Sequence, residues 1–79
     1  MAPEIVDQVL DCRDSYCPTP VIRTSEAIGT LAQGQVLELL TRDPGVEPDM
    51  KAWTRRTGHE LVHIDVRDDV FHVFLRRAH

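Results

Sequence analysis

Over residues 8–12, Gln-Val-Leu-Asp-Cys, a period of two puts the apolar Leu10 and Cys12 on one face and Val9 and Asp11 on the other. That is the pattern of a half-buried strand. Beyond a turn at Arg13-Asp14-Ser15-Tyr16 the period lengthens. Apolar residues at 21, 22, 27, 28, 31 and 32 form one stripe of an amphipathic helix that starts at Pro18 and closes at Gly34. Proline suits the first helical position, where its missing N–H is not needed. Residues 35–41, Gln-Val-Leu-Glu-Leu-Leu-Thr, read as a second strand. Asp43-Pro44-Gly45-Val46-Glu47-Pro48 has loop chemistry, and a second helix follows over about 48–57, with Val46, Met50, Trp53 and Thr57 at helical spacing and Gly58 as C-cap. Residues 61–67 and 70–76 read as two strands joined tightly at Asp68-Asp69. In that register Arg67 faces Val70, Asp65 faces His72 and His63 faces Phe74. Val62, Ile64 and Val66 then join Phe71, Val73 and Leu75 on the apolar face turned toward the helices.

A strand, a helix and a strand in close succession point to a βαβ unit with parallel strands. The order β-α-β-α-β-β predicts an α/β fold, a two-layer α/β sandwich whose mixed four-stranded sheet carries two helices on one face. At 79 residues this is a single domain over 1–79, with 1–7 a lead-in and 8–77 the core. A chain of this size buries only about 60% of the surface it exposes when unfolded, so an exposed site is expected and a deep substrate cavity is not.

Hydrophobic residues at 42% and charged residues at 28% describe a globular chain. The net charge of −4 argues against a direct nucleic-acid partner, which would call for a basic field. No stretch approaches the ~18 apolar residues of a membrane span, and the first residues carry no export signal. A cytoplasmic location is expected, and with it reduced cysteines.

Chemistry therefore turns on Cys12 and Cys17. Cys17 stands at the N-cap of the first helix, where the partial positive charge favours a thiolate. A thiol of ordinary pKa, about 8.5, is only ~3% ionised at pH 7, and half-ionisation demands about 2 kcal/mol. A helix terminus supplies roughly 0.3–1 kcal/mol. Arg13 and Arg23 are the nearest cations that would add to it. Pro18 and Pro20 bracket Thr19 and stiffen the turn, holding the thiol outward. The plainer reading is that Cys17 is an incidental cap. Cys12 shares its strand face with Leu10 and reads as a small core hydrophobe. A Cys12–Cys17 disulfide would need their Cα atoms within ~7 Å. His63 and His72 share a sheet face without metal-ligand spacing, so no metal site is expected. Val36, Leu40, Val70 and Phe74 lie on the face away from the helices and, if exposed, would form a second docking surface.

Leu10-Asp11-Cys12-Arg13…Cys17-Pro18-Thr19-Pro20-Val21 resembles the Cys-Pro-x-Pro signature of the TusA (SirA-like) sulfur-carrier family. Asp43-Pro44, Asp49-Met50, Trp53 and Gly58-His59-Glu60-Leu61 resemble that family's second block, in order and at similar spacing. The resemblance runs from about residue 9 to residue 77. It implies a sulfurtransferase acting as a protein-to-protein carrier, with a covalent persulfide on Cys17 and no cofactor. The donor would be a cysteine desulfurase or rhodanese, and the acceptor a DsrE-like or TusD-like protein. The destination would be tRNA thiolation, molybdenum-cofactor supply or sulfur oxidation. Asp43, Asp49, Gly58, His59 and Glu60 would serve as scaffold or partner contacts. Asp14 departs from the family, which usually has glycine there; aspartate tolerates a left-handed backbone better than most residues. Two other readings stand beside the relay: a non-catalytic regulatory or interaction module, and a thiol redox protein using Cys12 and Cys17.

Overall fold

The computed structural model describes residues 6–14 and 19–79. Its elements are β1 (Gln8–Asp11), α1 (Thr19–Ile28), β2 (Val36–Thr41), α2 (Val46–Thr57), β3 (Glu60–Arg67) and β4 (Val70–Arg76). The four strands form one sheet in the order β1-β2-β4-β3. β1 runs parallel to β2, and β4 is antiparallel to both of its neighbours. This is the expected mixed sheet. Both helices bury their apolar faces on one side of it: Ala27 and Ile28 from α1 and Val46, Met50 and Trp53 from α2 pack with Leu37, Leu39, Val73 and Leu75. The indole Nε1 of Trp53 donates to Ser25 Oγ at 2.9 Å, tying α2 to α1 through a polar contact at the edge of the core. No helix among the described residues is long and apolar enough to cross a membrane.

The hairpin follows the alternation. Arg67 pairs with Val70, Asp65 with His72 and His63 with Phe74. Asp68 and Asp69 take positive φ angles of 52° and 65°, the left-handed pair that a two-residue turn matched to strand twist requires. Farther along the ladder a bulge interrupts the register between Leu61 and His63, so Leu75 faces Leu61 where regular pairing would have placed Val62. Leu61, not Val62, packs against the core.

Four other expectations need correcting. α1 ends at Ile28, well short of Gly34. Gly29 disfavours continuation by about 1 kcal/mol, and the next two residues close tight i→i−3 bonds, Thr30 N–H to Ala27 O and Leu31 N–H to Ile28 O. Leu31 reaches the core from this turn, whereas Ala32 is exposed and Ile22, included in the apolar stripe, is 56% exposed. Gly34 instead takes φ 88° in the following turn. α2 begins at Val46, two residues early; Pro48 falls in its first turn, where no backbone donor is required. Asp7 belongs to the sheet more than to a lead-in: its N–H donates to Val36 O at 2.9 Å, and its Oδ2 accepts from Val36 N–H at 2.8 Å.

The face away from the helices is not an exposed apolar patch. Phe74 is 1% and Val36 3% exposed. The ladder sets Phe74 between Glu38 and His63, and the His63 ring lies 6.0 Å from its centroid. Polar side chains cover the ring with their apolar stems and rings.

Candidate functional site

β1 and β2 run parallel, so both release the chain at the same end of the sheet, where α1 and α2 begin. The end of β3 and the start of β4 share that end. Cys17 and Pro18 lie outside the described residues, so the cap geometry and the thiol pose expected for them do too. Thr19 and Pro20 are the first two residues of α1, which places Cys17 two residues ahead of the helix in sequence.

The segment leading there is well defined. Arg13 closes onto Asp11 with three hydrogen bonds: its backbone N–H to Oδ1 at 3.1 Å, Nε to Oδ1 at 2.9 Å and Nη2 to Oδ2 at 2.8 Å. These bonds hold the Asp11 carboxyl down at about 2 and raise the guanidinium further. Both side chains are about half exposed, so the pair orients Arg13 more than it stabilises the fold. Asp14 is exposed.

Cys12 ends the strand, its N–H donating to Leu40 O at 2.7 Å. Its side chain is 1% exposed and packs in the core as a free thiol. Burial pushes that thiol up, against the opposing pull of Arg23 and with the help of Asp11. A buried, neutral thiol is neither nucleophile nor ready disulfide partner.

The second block of motif residues lies in turns, caps and strand ends. Asp43 builds the entry to α2: its Oδ1 accepts from Gly45 N–H at 2.9 Å, its carbonyl accepts from Val46 N–H at 3.0 Å, and its own N–H donates to Thr41 Oγ1 at 3.2 Å. Asp49 and Glu47 lie in the first turn of α2, where negative charge complements the helix dipole. Gly58 caps α2 in the left-handed conformation at φ 84°, its N–H returning to Thr54 O at 2.8 Å. His59 stacks on Trp53 at 5.5 Å and on His79 at 4.6 Å between centroids, and its Nδ1 accepts from Ala78 N–H at 3.1 Å. Burial chiefly, and the charges of His79 and Arg77, hold its pKa below the usual imidazole value. Glu60 accepts from Arg76 Nη1 at 2.8 Å across the β3–β4 ladder.

Several arrangements were not read from the sequence. Arg77 Nη1 reaches the carbonyls of Ile28, Gly29 and Leu31, capping the end of α1 with a cation. His72 bonds Glu38 at 2.8 Å, not Asp65, which pairs with Arg67 at 3.0 Å. A cavity of about 420 Å³ opens on the helix-free face, lined in part by Arg13, Arg42 and Arg67. Complementary charge across strands was the available signal for Glu38 and His72; the other two need the tertiary fold. Among the described residues no group of three or more His, Cys, Asp or Glu side chains is placed to hold a metal ion.

The fold is that of a small α/β sandwich also seen in the crystal structure of a SirA-like protein from Desulfitobacterium hafniense, with a TM-score of 0.79, 22% identity, and 91% of this chain and 99% of that one covered. The family model described as sulfurtransferase TusA matches residues 8–77, and the chain belongs to that family. A relative in Bacillus subtilis, YrkI, named as a candidate sulfur carrier protein, is 34% identical over 72 residues, 91% of this chain and 96% of its own length. The sulfur carrier protein TusA of Allochromatium vinosum is 32% identical over 72 residues, 91% of this chain and 95% of that protein.

Proposed function

We propose that this chain is a sulfur-relay protein whose working group is the Cys17 thiolate. The thiolate attacks the outer sulfur of a donor persulfide, the S–S bond to the donor breaks, and the donor thiolate leaves. Cys17 then bears –S–SH. An acceptor thiolate attacks the terminal sulfur, the bond to Cys17 Sγ breaks, and the Cys17 thiolate is regenerated. Sulfur moves and no net oxidation occurs, so no resident cofactor is called for. The donor is a cysteine desulfurase or a rhodanese, the acceptor a DsrE-like or TusD-like protein, and the exchange takes place in the cytoplasm. The sulfur goes on to tRNA thiolation, molybdenum-cofactor assembly or sulfur oxidation.

The observation that carries this reading is the family match over residues 8–77 combined with the state of the two cysteines. The chain has two, and Cys12 is sealed in the core with its thiol pushed up. That leaves Cys17, inside the Cys-Pro-x-Pro motif and just ahead of α1. The names of the relatives point the same way.

Intact-protein mass spectrometry tests it. Wild type, Cys17→Ser and Cys12→Ala are incubated with a rhodanese and thiosulfate, with and without later reductant. The expected outcome is a reductant-labile gain of about 32 Da on wild type and Cys12→Ala and none on Cys17→Ser. A loss of two hydrogens requiring both cysteines would indicate the dithiol protein instead. Unchanged mass in every sample would indicate the interaction module.

A further inference from the structure

Arg13, Arg42 and Arg67 are three of the nine basic side chains of a chain whose net charge is −4. They come from three separate segments, after β1, after β2 and at the end of β3, yet they line one cavity of about 420 Å³. Among the described residues its remaining lining is Leu40 and Val70, both half-buried, with His72 and Asp68. The cavity is thus a small apolar floor under a predominantly cationic rim.

The local charges decide what fits. Arg42 is exposed and makes no ion pair or hydrogen bond among the described residues. Arg13 and Arg67 are held by Asp11 at 2.8 Å and Asp65 at 3.0 Å, all four side chains being 41–53% exposed. Exposed pairs of this kind hold their partners weakly, by about 0–1 kcal/mol. A guanidinium has five N–H donors, so both arginines keep donors for a ligand. His72 is already engaged by Glu38, and Asp68 is the carboxylate among the described lining residues. A lone inorganic anion would leave the Leu40–Val70 floor wet. An occupant with a carboxylate beside an apolar side chain satisfies both parts.

We propose that this cavity is a docking subsite for an acidic, partly apolar segment of a partner protein. That the occupant is a protein rests on the relay reading; the binding chemistry does not. The cavity lies on the face away from the helices, at the sheet end where Arg13 leads, four residues later, to Cys17. A partner gripping there would be registered by charge on an otherwise acidic molecule, which favours specificity and encounter rate over raw affinity.

The test uses the full chain carrying Cys17→Ser, so that sulfur chemistry plays no part and failure of the relay leaves the result readable. Backbone amide NMR follows titration with a capped hexapeptide of alternating glutamate and leucine, with its glutamine counterpart, and with sodium sulfate at matched ionic strength. The expected result is saturable shifts at Arg13, Leu40, Arg42, Arg67 and Val70 for the acidic peptide. Arg42→Glu raises Kd at least tenfold while leaving distant amides unmoved, and the control Arg56→Glu on α2 changes it less than twofold. The proposal is overturned by equal binding of the glutamine peptide, by sulfate binding as tightly as the acidic peptide, by shifts confined to the helices, by equal loss in both variants, or by no binding at millimolar peptide.

Discussion

Three threonines in the two helices show how one hydroxyl can be satisfied or stranded. Thr54 Oγ1 donates to Met50 O at 2.9 Å and Thr57 Oγ1 to Trp53 O at 2.8 Å, each bonding back to the preceding turn. Thr24, in the middle of α1, is fully buried and its Oγ1 has no partner among the described residues. A buried hydroxyl without a partner costs about 1–3 kcal/mol, and an apolar group of the same shape avoids that cost. Thr24→Val is therefore expected to stabilise the protein by about 1 kcal/mol or more, seen as a higher urea midpoint at unchanged m-value. A lower midpoint would mean that water or a rotated hydroxyl satisfies the group. The same bookkeeping identifies Cys12: its thiol was legible from strand parity alone, because Leu10 and Cys12 share a face and that face is the buried one. Nothing local in the sequence marks Thr24, since its cost depends on which carbonyl the hydroxyl fails to reach.

At the scale of elements, two glycines separate backbone strain from steric crowding. Gly34 and Gly58 both have strongly positive φ, 88° and 84°. A Cβ at Gly34 would meet nothing within 4 Å, whereas one at Gly58 would come within 3.2 Å of His79 Nε2. Gly34→Ala is expected to cost about 1–2 kcal/mol from the left-handed backbone. Gly58→Ala should cost that and a further loss as the His79 ring is displaced. Thermal unfolding of both variants and of Gly58→Ala/His79→Ala checks this; if the two single variants are equal, the His79 contact carries no energy. The sequence showed Gly58 as a cap because the apolar stripe of α2 stops there. It misplaced the end of α1 because Leu31 continues the stripe while the chain has already left the helix, held by Arg77 from nearly fifty residues away. The β3 bulge was hidden for a related reason: Leu61 and Val62 are both apolar, and only the pairing with Leu75 shows which one faces the core. The hairpin turn and the register next to it, from His63–Phe74 to Arg67–Val70, by contrast follow from period and turn chemistry and were visible from the start.

The molecule as a whole has two unlike ends. At one, the helices begin, the segment bearing Cys17 departs, and the Arg13–Arg42–Arg67 cavity opens on the opposite face. At the other, the chain after β4 binds both helix C-termini together. Arg77 caps α1, Ala78 N–H is accepted by His59, and His79 Nε2 donates to Thr57 O at 2.7 Å. The tail latch and the proposed sulfur chemistry thus lie at opposite ends of the strands, and pH should act on the latch through His59. Folding holds the pKa of His59 below its ordinary value, so the unfolded chain takes up this proton first as pH falls. The stability that goes with neutral His59 is complete above about pH 6.5, the ordinary imidazole value, and is lost progressively as pH falls from there through the folded value. Protonation at Nδ1 also removes the acceptor for Ala78 N–H and sets a second cation beside Arg77. Urea unfolding at pH 7.5 and 5.5 should show a lower stability at the acid end. His59→Asn, which keeps a side-chain acceptor but no titratable ring, should flatten that slope relative to wild type while His63→Asn leaves it in place. A wild-type slope retained in His59→Asn would place the proton uptake on another group and remove the tail latch as its cause.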